Sequence, residues 1–443
     1  MWSQPAFWLL LLPLLAAAVL WPAARWPRAQ AGAGAGLALL LALWLRSLDL
    51  PSEGAIWLVY GRSFILTPAL QMLFVLLALY VALLALLNWP LSAGPRFVPV
   101  TLALLMPAAA LVMIRPFIFA APFWFLLVVV ALLLFRYEDD SGITAVQTAL
   151  RYWLLMLVAT LLLLLAGWML GGDQAALLLP GARLLALALG IILAGFPFFI
   201  WVRPLVTAVP LLALPVLLGL LPLLGLVLVI QLLLAYPPLG QTDAFLLWLP
   251  WSAGLTVLLA GFLTLTAVAD WRQLVGSLVL LDMGFGLLSV ALAGVNGWET
   301  AVVHHGLRLV SLLLVAGGYS VISKQYSVKW AGWLWAYGLM SLLGLPLTPG
   351  FSGRWAVLVD LGQSEVAAWP LALLLVVGMG LALLGLVRQM GRVWSDWWGD
   401  EETAVLRPAW HTWLIRLVLL LALLLAALPQ VLLAPLLQLA SLF

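Results

Sequence analysis

A chain of 443 residues in which 66% of side chains are hydrophobic and only 8% charged cannot clothe a water-soluble surface, where about a quarter of residues carry charge. The formal net charge of +3 is too small to point to nucleic acid, and the absence of cysteine removes disulfides, cysteine-held iron–sulfur clusters and c-type haem attachment within the chain. Apolar stretches of about 20 residues recur along its length, enough to cross roughly 30 Å of hydrocarbon. They are rich in Leu and Ala and do not alternate, so the expected fold class is an all-α polytopic membrane protein, not a β-barrel.

In chain order the apolar runs predict about fourteen transmembrane helices, near 6–23, 31–47, 69–90, 97–115, 117–136, 148–170, 181–218, 222–236, 245–268, 272–294, 301–323, 330–362, 368–390 and 409–428. The first lacks a basic leader, with Arg25 and Arg28 following it instead, and reads as a span, not a signal peptide. Gly32 and Gly36 in the second are expected to pack helices. Two segments are too long and too interrupted for simple helices. The stretch 181–218 contains Pro197, Pro204, Pro210 and Pro215, and 330–362 contains Gly344, Pro346, Pro349, Gly350 and Gly353. Proline removes a backbone donor and clashes with the preceding turn, so each is expected to be two half-helices with an opened centre. Such a break survives in lipid only where protein or water satisfies the freed backbone. The most polar stretch, 394–407, carries Asp396, Asp400, Glu401 and Glu402; it reads as a solvated loop, with a partner-docking surface as the alternative. The 25 tryptophans are expected as interfacial anchors.

Basic residues set the expected orientation. Arg25, Arg28, Arg96, Arg136, Arg272, Lys324, Lys329, Arg388, Arg392 and Arg407 fall in alternate loops, against Arg46, Arg62, Arg115 and Arg183 in the others. The richer set belongs to the cytoplasm, which places both termini on the outer side of the cell membrane. The two interrupted segments lie five spans apart, as do Arg151 and Arg308. A five-span unit has odd parity, so the expectation is two inverted five-helix repeats, each with a broken helix, the pattern that points to a transport pathway. The expected organisation is 1–96 for helices 1–3, 97–242 and 243–390 for the two repeats, and 391–443 for a loop and the last helix.

Ionisable residues inside spans are functional candidates because they cost several kcal/mol unless paired or wetted. Asp282 lies deepest, with apolar neighbours on both sides. His304, His305 and Arg308 form a second cluster; His304 and Arg308 share a helix face, and histidine exchanges protons near neutral pH. A pairing of Asp282 with His304 or Arg308 would make either a proton path or a static polar clasp between helices. Arg203 and Arg354 lie at the two breaks, where exposed carbonyls would satisfy them or they would electrostatically gate a water chain; Arg272 and Arg151 are grouped with them as electrostatic candidates. Arg151 is expected to snorkel to the interface, and Gln147 and Gln231 are weaker polar candidates. The chain has no arrangement of residues for nucleophilic catalysis or phosphate binding, and its three histidines do not make a conventional zinc site, so no metal and no cofactor is expected in this chain.

Four motifs in order resemble a known family. PFFIWVRPLVTAVP (197–210), RQLVGSLVLLDMGF (272–285), HHGLR (304–308) and GLPLTPGFSGRW (344–355) are similar to PFHxW…P…AP, KRLLaYSSIsHlGy, HaffK and GxPPxxGFxxK. These mark the antiporter-like membrane subunits of respiratory NADH:quinone oxidoreductase (complex I) and of Mrp-type cation/proton antiporters. The chain ends near its fourteenth span, like the shorter central subunits of complex I. The resemblance implies other membrane subunits of a multi-subunit complex as partners, the lipid bilayer as environment, protons as the moving ion with sodium as the alternative, and no redox chemistry in this chain. It also exposes departures. The family's lysine positions fall at Ile192, Arg272, Arg308 and Arg354, its histidine at Asp282, and its span-five glutamate has no counterpart in 117–135. Lysine releases its proton when desolvated and arginine does not, so any remaining proton path is expected in the second repeat, around Asp282, His304 and His305. Three readings stay open: a translocating or structural subunit of a complex I-like assembly; a subunit of an Mrp antiporter, a membrane-bound hydrogenase or an inorganic-carbon uptake complex; and a stand-alone secondary transporter.

Overall fold

The computed structural model describes residues 4–91, 93–135, 142–172, 175–267, 270–296, 298–323, 328–364, 369–398, 420 and 429–442. The expected span 409–428 and most of the acidic stretch 394–407 lie outside the described residues, as do Arg136, Lys324 and Arg407. The described residues are predominantly helical, 85% of them in helices. Among the described residues nine helices are long and apolar enough to cross a membrane, and shorter apolar helices accompany them.

The helices are α1 (Pro5–Leu20), α2 (Pro27–Ser47), α3 (Pro68–Leu91), α4 (Phe97–Met113), α5 (Ala120–Ala131), α6 (Gly142–Leu170), α7 (Leu178–Ile192), α8 (Val202–Ala208), α9 (Leu221–Ala235), α10 (Leu249–Thr266), α11 (Trp271–Asn296), α12 (Glu299–Ser323), α13 (Val328–Leu343), α14 (Pro349–Gln363), α15 (Trp369–Trp398) and α16 (Pro429–Ser441). Helical packing separates two compact units. One comprises Met1–Ala188, Val227–Tyr236 and Leu439–Phe443; the other comprises Leu189–Leu226 and Pro237–Gln438.

In the first unit, α2 packs along α3, and α4 against α1 and α5. Outside the helices a small antiparallel sheet forms from β1 (Ala55–Val59), β2 (Arg62–Leu66) and β3 (Ile114–Arg115). The hydropathy pattern did not anticipate it. Val59 pairs with Arg62 across Tyr60–Gly61, both at positive φ, the two-residue turn that suits strand twist. Along α6, Val146, Leu150, Leu154, Val158, Leu161, Leu165 and Trp168 are exposed. Their helical spacing makes one apolar stripe of the kind that faces lipid.

In the second unit, α11 is buried continuously from Leu274 to Ala293. It is therefore an interior helix, surrounded by protein. The expected broken segment 330–362 is α13 and α14, interrupted at 344–348. The expected segment 181–218 differs at its end. Its break falls at 193–198, between α7 and a short 3-10 turn leading into α8, and α8 stops at Ala208. Pro210 lies beyond that end, and Pro215 opens a π-helical turn at the start of the next span, Leu211–Ala235. The prolines thus delimit two elements that the apolar run had merged.

The packing of α10 on α15 is the most intimate in this unit. Gly261 of α10 meets Gly378 of α15, and Gly385, seven residues or about two helical turns further along α15, meets the backbone of Thr264 and Leu265. A Cβ at Gly261 would lie 2.1 Å from the Gly378 carbonyl oxygen, and one at Gly385 2.6 Å from the Thr264 backbone. In lipid, helices associate by close van der Waals packing, and small residues permit that approach. Gly261→Leu is therefore expected to lower the melting temperature of the detergent-solubilised protein by several degrees, whereas Gly380→Ala, where a Cβ meets nothing within 4 Å, leaves it unchanged. Equal melting temperatures for the two variants would refute the backbone-contact account.

Candidate functional site: an ion cluster at the second helix break

Helix α13 ends at Leu343, and the chain turns through Gly344 (φ +73°) and Leu347 (φ +65°) before α14 begins. Gly344 has two reasons to be glycine: its φ is left-handed, and a Cβ would sit 2.4 Å from Arg354 Cδ. Pro349 occupies the first turn of α14, where its missing N–H costs nothing. Pro346 lies in the turn itself. Two serines pin the break: the Gly350 N–H donates to Ser341 Oγ at 2.9 Å, and Ser341 Oγ is 2.7 Å from Ser311 Oγ of α12. A Cβ at Gly350 would lie 2.0 Å from the Ser341 carbonyl oxygen, so no other residue fits.

An interrupted helix leaves its last carbonyls unpaired and carries partial negative charge at that end. Arg354, in the second turn of α14, reaches back and donates from Nη1 to the Leu343 carbonyl and from Nη2 to the Leu342 carbonyl. Its Nη2 is also 3.3 Å from Asp282 Oδ1, and its guanidinium lies over the Phe285 ring at 4.8 Å. Asp282, midway along α11, is 4% exposed. Arg308 of α12 meets it from the other side. Arg308 Nε donates to Asp282 Oδ2, Nη2 donates to the Asp282 carbonyl at 2.9 Å, and Nη1 lies 3.3 Å from Met283 Sδ. That backbone contact depends on Gly286, where a Cβ would be 2.2 Å from Arg308 Nη2. His304 Nε2 is 3.3 Å from the Asp282 carbonyl oxygen, 3.7 Å from its Oδ1 and 3.4 Å from Arg308 Nη2. The carboxylate is thus shared by two guanidiniums, with one histidine alongside.

The structure brings Asp282, His304, Arg308 and Arg354 together and places His305 next to them, its ring centroid 5.7 Å from that of His304. It groups Arg203 and Arg272 elsewhere. Arg203, in α8, donates from Nη2 to Gln273 Oε1 at 2.8 Å. Arg272, in the first turn of α11, donates from Nη1 to the Thr207 carbonyl at 2.8 Å and so caps the end of α8. Ten residues, about 15 Å of helix, separate Arg272 from Asp282. The carbonyls freed at the first break go to neutral donors: Trp201 Nε1 donates to the Ile191 carbonyl and Ser252 Oγ to the Phe196 carbonyl, while the Phe196 N–H donates to Thr256 Oγ1. Pro197 follows a cis peptide bond there, and Pro204 sits in the first turn of α8. Arg151 belongs to the first unit and is exposed on α6 beside Leu150 and Leu154.

Sequence reasoning missed several members. Ser311 carried a usable signal, since it follows Arg308 by three residues and His304 by seven, on the same face. Ser341, Phe285 and Gly286 offered none without the fold. Arg115 was read only as a loop cation. In the first unit it donates to the Ile114 carbonyl at 2.8 Å and to Gln231 Oε1 at 3.0 Å, and it lies over Phe117 at 4.0 Å. Burial lowers it to about 10, so it stays charged at neutral pH.

Chains from three assemblies share this fold over nearly the whole of this protein. A chain of the membrane-bound sulfane sulfur reductase, an archaeal respiratory membrane complex, has a TM-score of 0.80 and 16% identity, covering 99% of this chain and 98% of its own. A chain of respiratory complex I from Thermus thermophilus gives 0.70 and 17%, covering 95% and 98%. A chain of the Mrp complex from Dietzia sp. DQ12-45-1b gives 0.75 and 16%, covering 98% of this chain and 52% of its own. No protein-family model matches the sequence.

Removing one partner of a buried ion pair strands the other and costs about 3–5 kcal/mol. Arg308→Met leaves Asp282 with Arg354 alone and is expected to lower the stability of the purified protein by up to that amount, and the double variant Asp282→Asn, Arg308→Met to recover part of it. A single variant as stable as the parent would show that the cluster does not hold α11 to α12.

Proposed function

We propose that this chain is an antiporter-like subunit of a complex I-like, proton-translocating membrane oxidoreductase, embedded in the cell membrane with both termini on the outer side and partnered by other membrane subunits. In this reading it spans the membrane fourteen times, with inverted repeats at 97–242 and 243–390, holds no cofactor of its own, and leaves redox chemistry to its partners. The observation that carries the reading is the buried cluster of Asp282, His304, Arg308 and Arg354 at an interrupted helix. An ionisable cluster beside a broken membrane helix is a usual construction for an ion pathway. The full-length likeness to chains of two respiratory complexes supports the assignment. Arginine as a residue type supplies fixed charge and not an exchangeable proton, so the groups of the cluster able to exchange a proton are Asp282, His304 and His305.

A second reading, a subunit of an Mrp-type cation/proton antiporter, is favoured by the likeness to the Mrp chain and fits the same cluster; a membrane-bound hydrogenase or an inorganic-carbon uptake complex would use it in the same way. The deciding experiment isolates the intact complex by a tag on this chain, reconstitutes it in proteoliposomes and follows internal pH during turnover. Asp282→Asn is expected to assemble and to lower the protons moved per substrate turned over. Unchanged translocation would exclude a path through this cluster. Cation-driven antiport without any oxidoreductase turnover would select the Mrp reading.

A further inference from the structure

His305 lies on α12 and is 0% exposed, yet half of its polar capacity is unused. Its Nδ1 is 3.0 Å from the Ala301 carbonyl oxygen. A carbonyl only accepts, so Nδ1 carries the proton, and in the neutral ring Nε2 is left as a bare acceptor. That atom is buried and has no hydrogen-bond partner among the described residues. Buried polar atoms in folded proteins are almost always paired with protein or water, and an exception calls for a cause. The ring edge at Cε1 faces Gly286 of α11, where a Cβ would come within 3.3 Å of it. The ionisable groups of the neighbouring cluster are Asp282 from α11, His304 and Arg308 from α12 itself, and Arg354 from α14.

These neighbours divide by chemistry. The two guanidiniums are permanently charged and are occupied: Arg308 by Asp282 and Met283, and Arg354 by Asp282 and the end of α13. Asp282 accepts from both. His304 directs Nε2 at the Asp282 backbone carbonyl. Of the exchangeable groups, only His305 has a fully buried side-chain atom with no hydrogen-bond partner among the described residues.

We propose that His305 Nε2 is the proton-accepting atom of this subunit's membrane site, with Asp282, Arg308 and Arg354 as its fixed electrostatic frame. The inference rests on the proton-translocation reading above and names the carrier within it. A proton delivered by water adds to the Nε2 lone pair. The ring becomes imidazolium while Nδ1–H stays on the Ala301 carbonyl, and the same proton then leaves Nε2 for the next water. No other bond changes. The adjacent guanidiniums disfavour a lasting cation, so the proton is held briefly, as conduction requires.

The test uses the intact reconstituted complex. His305→Asn is chosen because the asparagine amide reaches the position of Nδ1 and can still donate to Ala301, while nothing replaces Nε2. The expected result is an assembled complex that turns over, with a loss of protons moved per turnover and a flattened pH dependence of translocation. A packing role alone would leave that pH profile in place. If His305→Asn keeps the parental ratio and profile while Asp282→Asn loses translocation, the carrier is overturned and the functional reading stands. If neither variant changes translocation, the reading itself fails. Should His305→Asn fail to assemble, His305→Gln is measured by the same criteria; failure of both to assemble assigns His305 to packing and overturns the proposal.

Discussion

The second unit is organised by one problem, the unpaired carbonyls where α13 stops inside the bundle. In lipid each unsatisfied backbone group costs several kcal/mol. Arg354 answers this by donating to the carbonyls of Leu342 and Leu343 at once. A planar guanidinium suits the task because its donors form a rigid fork. The solution brings a full positive charge into a buried place, and α13's partial negative end offsets only part of it. Asp282 supplies the rest, and its remaining oxygen then takes Arg308. The two arginines, one acid and the helix end follow from a single interrupted helix.

The first break in the same unit shows the alternative. There the freed groups meet Trp201, Ser252 and Thr256, all neutral. No ion is introduced and none has to be balanced. Ile192, at the end of α7, is where the family resemblance places a lysine. The two breaks therefore differ in kind: one is a neutral structural joint, and the other holds charge. The intramembrane acid accordingly lies with the second.

Much of this was legible in the residues. The cluster Gly344, Pro346, Pro349, Gly350 marked the second break because proline breaks a helix and glycine weakens it, and the four-residue spacing of His304 and Arg308 put them on one face. The direction of Arg354 was not legible, since nothing in a sequence says that a side chain in α14 points back across the turn to α13. The end of the first broken segment was misplaced because 211–218 is as apolar as the helix before it, and hydropathy does not register a change of element. The hairpin at Ala55–Leu66 escaped for a related reason. It is short, it sits between two spans, and its only local sign is Tyr60–Gly61. Arg203 was read from its place at the first break and Arg272 as a loop cation at a family lysine position, whereas their partners, Gln273 and the end of α8, depend on how α8 meets α11.

Replacing a lysine by an arginine at such a site separates two duties that one residue can combine. A lysine both fixes the field and surrenders a proton; an arginine only fixes the field. Under the proposed function, a chain with arginine at positions 308 and 354 takes its exchangeable proton elsewhere or does without one. Asp282 is bonded from two sides and His304 is turned toward backbone, so a carrier built from either would have to break the bonds that hold α11 to α12 and α14. His305 can gain and lose a proton at Nε2 while its other nitrogen stays on Ala301. A cluster arranged this way can keep its helices clasped throughout a cycle, because the atom that changes charge is not one of the atoms that bear the fold.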